Sequence, residues 1–290
     1  MKKSYRRAIK VIISALLLIW IIRGNSTIGV TNYTVVNDRI PAAFTGYKIA
    51  VISDLHNACF GKENRRLIAT IEKEEPDLIA ITGDLIDSGK PKVEVAESLV
   101  RQLAGTAPIY FVTGNHESWV PETYQELEAK LKDAGVTILH NSVVEIEKNG
   151  ETIQIAGLDD SDYIGRASIS KESADTSGKS YIPGNKPQAK LKEMNLSEDF
   201  CILLAHRPED FGAYASENVD LVLSGHAHGG QVRLPFVGGV VAPGQGFFPK
   251  YDAGEYTENN TTMIVSRGIG NSVIPVRINN RPEVVMIHLK

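Results

Sequence analysis

Five short polar motifs carry most of the chemistry-bearing side chains of this sequence, and each follows an apolar run. They are Ser53-Asp54-Leu55-His56, Gly83-Asp84, Gly114-Asn115-His116-Glu117, His206, and Gly225-His226-Ala227-His228-Gly229-Gly230. Taken singly, each has an ordinary explanation: an Asp caps a helix, a His satisfies a core edge, an Asn makes a turn. Together they hold five of the seven histidines, leaving His140 and His288 as structural residues. Imidazole, carboxylate and amide groups in such a set are ligands for a divalent metal. Sulfur has no part in it, because Cys59 and Cys201 are the only cysteines, too few for a thiolate zinc site or a disulfide framework. Nitrogen and oxygen donors of this kind suit manganese, iron or zinc rather than calcium.

Spacing supports a shared site. Asp54 and His56 are two residues apart, so on an extended strand end their side chains face the same way, and His226 and His228 repeat the arrangement. The glycines beside them permit turns that a β-carbon forbids and allow a phosphate to approach closely. Asp54, His56, Asp84, Asn115, His206, His226 and His228 offer more donors than one tetrahedral ion takes, which points to two ions.

The elements that must position these residues read as alternating strands and helices. Residues 47–53 (YKIAVIS), 77–82 (DLIAIT) and 108–113 (PIYFVT) are strand-length runs rich in Ile and Val, as expected for strands buried on both faces. Helical spacing of apolar residues marks 61–75, 91–104 and 121–133. Asn149-Gly150 between two alternating runs predicts a hairpin over 143–156. Strands resume at 200–205 and 220–223, and the tail segments 261–267 and 282–289 read as antiparallel. The pattern predicts an α/β fold of mixed sheets flanked by helices, with ligands at the carboxyl ends of the strands. Residues 159–187 are polar and small, a long surface excursion that is either a lid or a plain insertion.

At the five motifs the sequence resembles the calcineurin-like metallophosphoesterases, whose ordered pattern is D-x-H, G-D, G-N-H-[D/E], H and G-H-x-H. The resemblance runs from about Tyr47 to Leu289. The stretches GHAHGGQ and SRGIGNSVIPVRINNRPE are similar to the membrane-associated bacterial branch, several of whose members hydrolyse phosphodiesters or lipid-linked diphosphates. The resemblance implies a layered sandwich and two metals bridged by Asp84. Asp54, His56 and His228 would complete one ion; Asn115, His206 and His226 would complete the other. It also implies that His116 faces the substrate and protonates the leaving group, a general-acid role worth about 10²–10⁴-fold. Glu117 stands where Asp is commoner, and the family role for it is to orient His116. A metal pair of this kind clamps phosphoryl oxygens and brings the pKa of a bound water down to about 7.

Arg267 and Arg277, flanking Gly268-Ile269-Gly270, are candidates for binding a phosphate or diphosphate, with surface arginines in a turn as the plain alternative. Phe236, Phe247 and Phe248 follow the His pair in a Gly/Pro-rich segment; packing inside the fold is the favoured expectation, contact with an acyl chain the other.

The first 29 residues form a separate unit. Lys2, Lys3, Arg6, Arg7 and Lys10 precede an apolar run, 11–22, of about 18 Å as a helix, shorter than a bilayer core of about 30 Å. An uncleaved signal-anchor is favoured, since no Ala-x-Ala cleavage site follows; a cleaved signal peptide and a helix lying on the membrane are the alternatives. In the export readings the positive charges put residues 30–290, the expected metallophosphoesterase domain, outside the cytoplasm, whereas a helix lying on the membrane keeps them inside. The whole chain has a net charge of −4 and 42% hydrophobic residues, which excludes a disordered chain and argues against duplex nucleic acid as partner.

The sequence therefore predicts a membrane-tethered hydrolase of a phosphodiester or diphosphate, with a lipid-linked substrate among the candidates. A phosphomonoesterase acting on protein or nucleotide is the enzymatic alternative. A non-catalytic metal-binding protein is the other, and it predicts a damaged ligand set where this one is intact.

Overall fold

The computed structural model describes residues 2–163, 185–271 and 274–290. Two six-stranded sheets stack face to face with helices on both outer sides. The first sheet runs in the order β1 (Gly29–Val35), β16 (Glu283–Leu289), β2 (Lys48–Ile52), β3 (Leu78–Ile81), β4 (Ile109–Phe111) and β5 (Thr137–Ile138). The second runs β14 (Gly254–Glu258), β15 (Thr261–Val265), β9 (Leu221–Ser224), β8 (Cys201–Ala205), β7 (Glu151–Leu158) and β6 (Ser142–Lys148). Two small ribbons, β10 (Arg233–Leu234) with β11 (Gly238–Gly239) and β12 (Val241–Ala242) with β13 (Gly246–Phe247), follow the last histidine pair.

The strands between covering layers are continuous apolar runs because both faces are buried. In β2, Ala50 and Ile52 face the helices Arg65–Lys73, Val93–Leu103 and Pro121–Asp133, while Ile49 and Val51 face the second sheet. There they meet Ile153, Ile155, Ile202, Leu204 and Leu223, so a single intersheet core fixes how the two sheets stack. Each fully buried side chain of this kind contributes about 1.5–3 kcal/mol.

Strands β2, β3, β4 and β5 are parallel neighbours, as are β7, β8, β9 and β15. The Asn149-Gly150 turn joins β6 to β7 as expected. The tail strands meet the antiparallel expectation on one side only. β15 is antiparallel to β14 but parallel to β9, and β16 is antiparallel to β2 but parallel to β1, so the two tail strands sit in different sheets.

At the N-terminus, α1 (Lys2–Ser26) is longer than the apolar run alone suggests. Residues 5–26 form one helix long and apolar enough to cross a membrane, about 33 Å at 1.5 Å per residue. The basic residues at its ends lengthen it at no cost to the span, because their stems lie along apolar surface. Most of the 159–187 segment, residues 164–184, lies outside the described residues.

Candidate metal centre

The carboxyl ends of five parallel strands converge. β2 delivers Asp54 and His56, β3 delivers Asp84, β4 delivers Asn115 and His116, β8 delivers His206, and β9 delivers His226 and His228. The first three strands belong to one sheet and the last two to the other, so the site closes the seam at the end of the sandwich. Asp54, His56, Asp84, His226 and His228 all have φ between 44° and 63°, in the left-handed region. Such a turn costs a non-glycine residue on the order of 1 kcal/mol, and here it swings each side chain inward at once. Gly225 is required by crowding: a β-carbon there would lie 1.7 Å from Ser53 Oγ and 2.5 Å from Asp54 Oδ2.

Two donor clusters flank Asp84, and a third group, His56, Asp87 and His116, adjoins the first. Asp54, His56 and His228 form one, with His56 Nε2 and His228 Nε2 3.1 Å apart and His228 Nε2 3.4 Å from Asp54 Oδ1. Asp84, His206 and His226 form the other, with His206 Nε2 3.1 Å from both His226 Nδ1 and Asn115 Oδ1. Asp84 Oδ2 stands between them, 3.5 Å from His56 Nε2 and 3.3 Å from His206 Nε2. Every one of these residues is buried. Facing imidazole nitrogens at 3.1 Å have at most one proton to share, whereas a cation satisfies both lone pairs. His226 Nε2 and His56 Nδ1 have no hydrogen-bond partner at all. The donor set therefore fits divalent metal ions.

Neighbouring groups hold these ligands in place. His206 Nδ1 donates to the Thr82 carbonyl at 2.7 Å, which leaves Nε2 to face Asp84. Asp54 accepts the His226 N–H at 3.1 Å, and the Gly270 N–H bonds the Asp54 carbonyl at 2.7 Å. Asn280 donates through Nδ2 to the His228 carbonyl at 2.7 Å.

Electrostatics favours neutral rings and one buried ion pair. Burial pushes His56 down to about 4 and holds His226 and His228 well below the usual histidine range. Burial also opposes the His206 cation, but the Asp84 carboxylate outweighs it and holds that ring up to about 10. Asp84 is correspondingly held well below the carboxylate range, burial being overcome chiefly by His206. Burial pushes Asp54 up to about 6.

His116 lies beside the clusters, its ring 4.4 Å from that of His56. The Ser88 N–H donates to His116 Nδ1 at 2.9 Å, so in the neutral ring the proton sits on Nε2. The expected orienting role of Glu117 needs correction. Its oxygens accept the N–H groups of Asp84 and Gly114 at 2.8 Å and of Ile86 at 3.2 Å, because this buried carboxylate sits under the strand ends instead of behind the His116 ring. Burial pushes it up to about 7.

Arg277 is not a surface arginine: it is 2% exposed, and its guanidinium donates to the Gly270 and Arg267 carbonyls and to Asn271 Oδ1. Its Nη2 lies 3.3 Å from His228 Nδ1, which makes it a support for the site and not a free phosphate donor. Arg267 is half-buried, with Nε 3.6 Å from Glu283, and lines a cavity beside α1. Phe236, Phe247 and Phe248 do not pack inside; they project from the β10–β13 ribbons into solvent, where the glycine-rich chain has no layer to bury them.

Three groups escaped the sequence reading. Asp87 Oδ2 lies 3.8 Å from His56 Nδ1 and 3.9 Å from His116 Nδ1. Glu209 Oε1 lies 3.6 Å from His226 Nε2, and burial pushes that carboxyl up to about 7. Asn280 supports His228 from the tail. Only Asp87, three residues after Asp84, and Glu209, three after His206, had a sequence cue in their proximity to a motif. His140 lies away from the centre, bonded to Asp159, and His288 bonds Asn32.

Residues 47–230 match the model of the calcineurin-like phosphoesterase family. The metallophosphoesterase YkuE of Bacillus subtilis is 31% identical over 90% of this chain and 85% of its own length. Phosphodiesterase YaeI of Escherichia coli is 31% identical over 84% of this chain and 82% of its own. A Danio rerio transmembrane protein with a metallophosphoesterase domain is 30% identical over 87% of this chain and 55% of its own. The fold and the converging donors thus have a family. The chain belongs to the calcineurin-like metallophosphoesterases, hydrolases that act on phosphate esters.

Proposed function

We propose that the chain is a membrane-tethered hydrolase that uses two divalent ions, manganese, iron or zinc, to cleave a phosphodiester or diphosphate. The observation that carries the two-ion reading is the position of Asp84 Oδ2 between two separate donor clusters, 3.5 Å from His56 and 3.3 Å from His206. Asp54, His56 and His228 would hold one ion and Asn115, His206 and His226 the other, with Asp84 shared. Bound there, the ions supply Lewis acidity toward phosphoryl oxygens and a nucleophilic water at neutral pH.

The chain's own residues supply the rest. Glu117 fixes the backbone of Asp84 and Gly114, so the bridging carboxylate and Asn115 keep their positions when the substrate's charge arrives. His116 presents Nε2–H, held in that tautomer by the Ser88 N–H, and donates from it a hydrogen bond that stabilises the charge on the departing oxygen. Glu209 and Asp87 each place a carboxyl group near the remote nitrogen of a ligand histidine, at 3.6 and 3.8 Å, as electrostatic neighbours and not as hydrogen-bond partners.

The name of the Escherichia coli relative supports a diester substrate. Tethering is supported by α1 and by the transmembrane designation of the Danio rerio relative. The basic residues before the apolar run support a catalytic domain outside the cytoplasm. The test is hydrolysis of bis-p-nitrophenyl phosphate against p-nitrophenyl phosphate by the full chain reloaded with manganese. Faster turnover of the diester is expected. Turnover of the monoester alone overturns the diester reading, and two bound ions with neither ester cleaved overturns the enzymatic one.

A further inference from the structure

α1 does not end loosely. Asn25, in its last turn, donates through Nδ2 to the Arg277 carbonyl at 2.8 Å and accepts the Arg277 N–H at 2.8 Å. A third tie runs from the Arg66 guanidinium to the Ser26 carbonyl at 3.3 Å. The end of the apolar helix is thereby fixed against the loop whose arginine touches His228.

Between them lies a cavity of about 430 Å³. The helix contributes Trp20, Ile21 and Arg23, and the catalytic domain contributes Arg267, Arg277 and Arg281. No acidic residue lines it. Among the described residues, Arg23 and Arg281 have no ion pair or side-chain hydrogen bond, and Arg267 Nε makes no hydrogen bond but is ion-paired to Glu283 at 3.6 Å. Four guanidiniums with the Glu283 carboxylate as their ion-paired neighbour leave an excess of positive charge, and an oxyanion with several acceptor oxygens offsets it through charge-assisted bonds. Arg277 is taken up by the Gly270 and Arg267 carbonyls and Asn271 and adds only its charge, so Arg23 and Arg281 are the arms left for a ligand.

The walls say where the ligand comes from. Trp20 and Ile21 belong to the exposed apolar helix, and Trp at the end of such a helix sits at the level of lipid head groups. Ile274, Val276 and Ile278, on either side of Arg277, are also exposed. The cavity is apolar on one side, cationic on the other, and level with the end of the membrane-length helix.

We infer that this cavity binds the phosphate head group of an anionic membrane lipid, which seats the catalytic domain against the bilayer beside its metal centre. The inference rests on the reading of α1 as a membrane anchor. Arg23 and Arg281 grip the phosphate from the helix and the domain respectively, so the ligand bridges the two.

The test uses the full chain in detergent with the Trp119→Phe substitution, which leaves Trp20 as the only tryptophan. Its fluorescence is followed while dihexanoyl phosphatidylglycerol, dihexanoyl phosphatidylcholine or inorganic phosphate is added. Saturable binding of phosphatidylglycerol is expected, weakened about tenfold or more by the double variant Arg23→Gln/Arg281→Gln. That variant should retain hydrolysis of soluble bis-p-nitrophenyl phosphate and flotation with phosphatidylcholine vesicles. Equal binding of inorganic phosphate, or equal affinity in the double variant, overturns the inference while the anchor stands. Failure of the unsubstituted chain to float with vesicles overturns the anchor and the inference together.

Discussion

Glu117 Oε2 accepts the backbone N–H of Asp84 at 2.8 Å, so a carboxylate from the third strand end holds the backbone of the second. The same oxygen accepts the N–H of Gly114, and Oε1 accepts that of Ile86. One buried side chain thus ties together two of the five loops that carry donors. Moving it would displace the carboxylate that stands between the two clusters.

Glu117→Gln tests that tie. The amide keeps the volume but turns an NH2 group toward backbone donors, leaving at least one buried N–H without an acceptor at a cost of about 1–3 kcal/mol. A lower melting temperature with weaker metal binding is expected. Unchanged stability and metal content would mean that these bonds do not position Asp84.

Asp84→Asn should weaken both ions together, because one oxygen faces both clusters. Metal analysis after gel filtration reads the result. Loss of one ion with full retention of the other would remove Asp84 from the bridging role.

His116→Ala should leave metal content intact and cut turnover by about 10²–10⁴-fold for an alkyl diester. The loss should be smaller for p-nitrophenyl esters, whose leaving group needs little stabilisation. An equal loss for both esters would assign His116 to something other than stabilising the leaving oxygen.

Metal affinity should rise with pH. Asp84 holds His206 up to about 10 without metal, and a ligand imidazole must lose that proton. Protons therefore compete with metal below that value, and the apparent affinity should gain up to about tenfold per pH unit from this group alone. His56, pushed down to about 4, is already neutral there and adds nothing. Calorimetry in buffers of different ionisation enthalpy should report about one proton released from His206; affinity independent of pH between about 7 and 9 would show that His206 binds metal without giving up a proton.

The motifs were legible because metal ligation demands particular residue types in any fold, and the strands because burial on both faces leaves unbroken Ile/Val runs such as Lys48–Ile52. Register across sheets was not. Nothing local in Thr261–Val265 or Glu283–Leu289 says that they join different layers, since that choice is made by the intersheet core. β1 escaped notice for a related reason: its exposed edge leaves it the mixed pattern Gly-Val-Thr-Asn-Tyr-Thr-Val. Arg277 misled because an arginine between turn residues usually faces water, whereas here backbone carbonyls of residues 267 and 270 satisfy it out of solvent. Nothing local marks Asn25 as the tie between α1 and the tail, which only its reciprocal bonds to Arg277 reveal.

The central claim is that two divalent ions in the paired clusters perform the hydrolysis. The most direct measurement strips the full chain of metal and titrates it with manganese while following bis-p-nitrophenyl phosphate cleavage. Activity should be absent at the start, reach its plateau at two equivalents per chain, and vanish when chelator is added. Full turnover in the stripped protein, or a plateau at one equivalent, would contradict it.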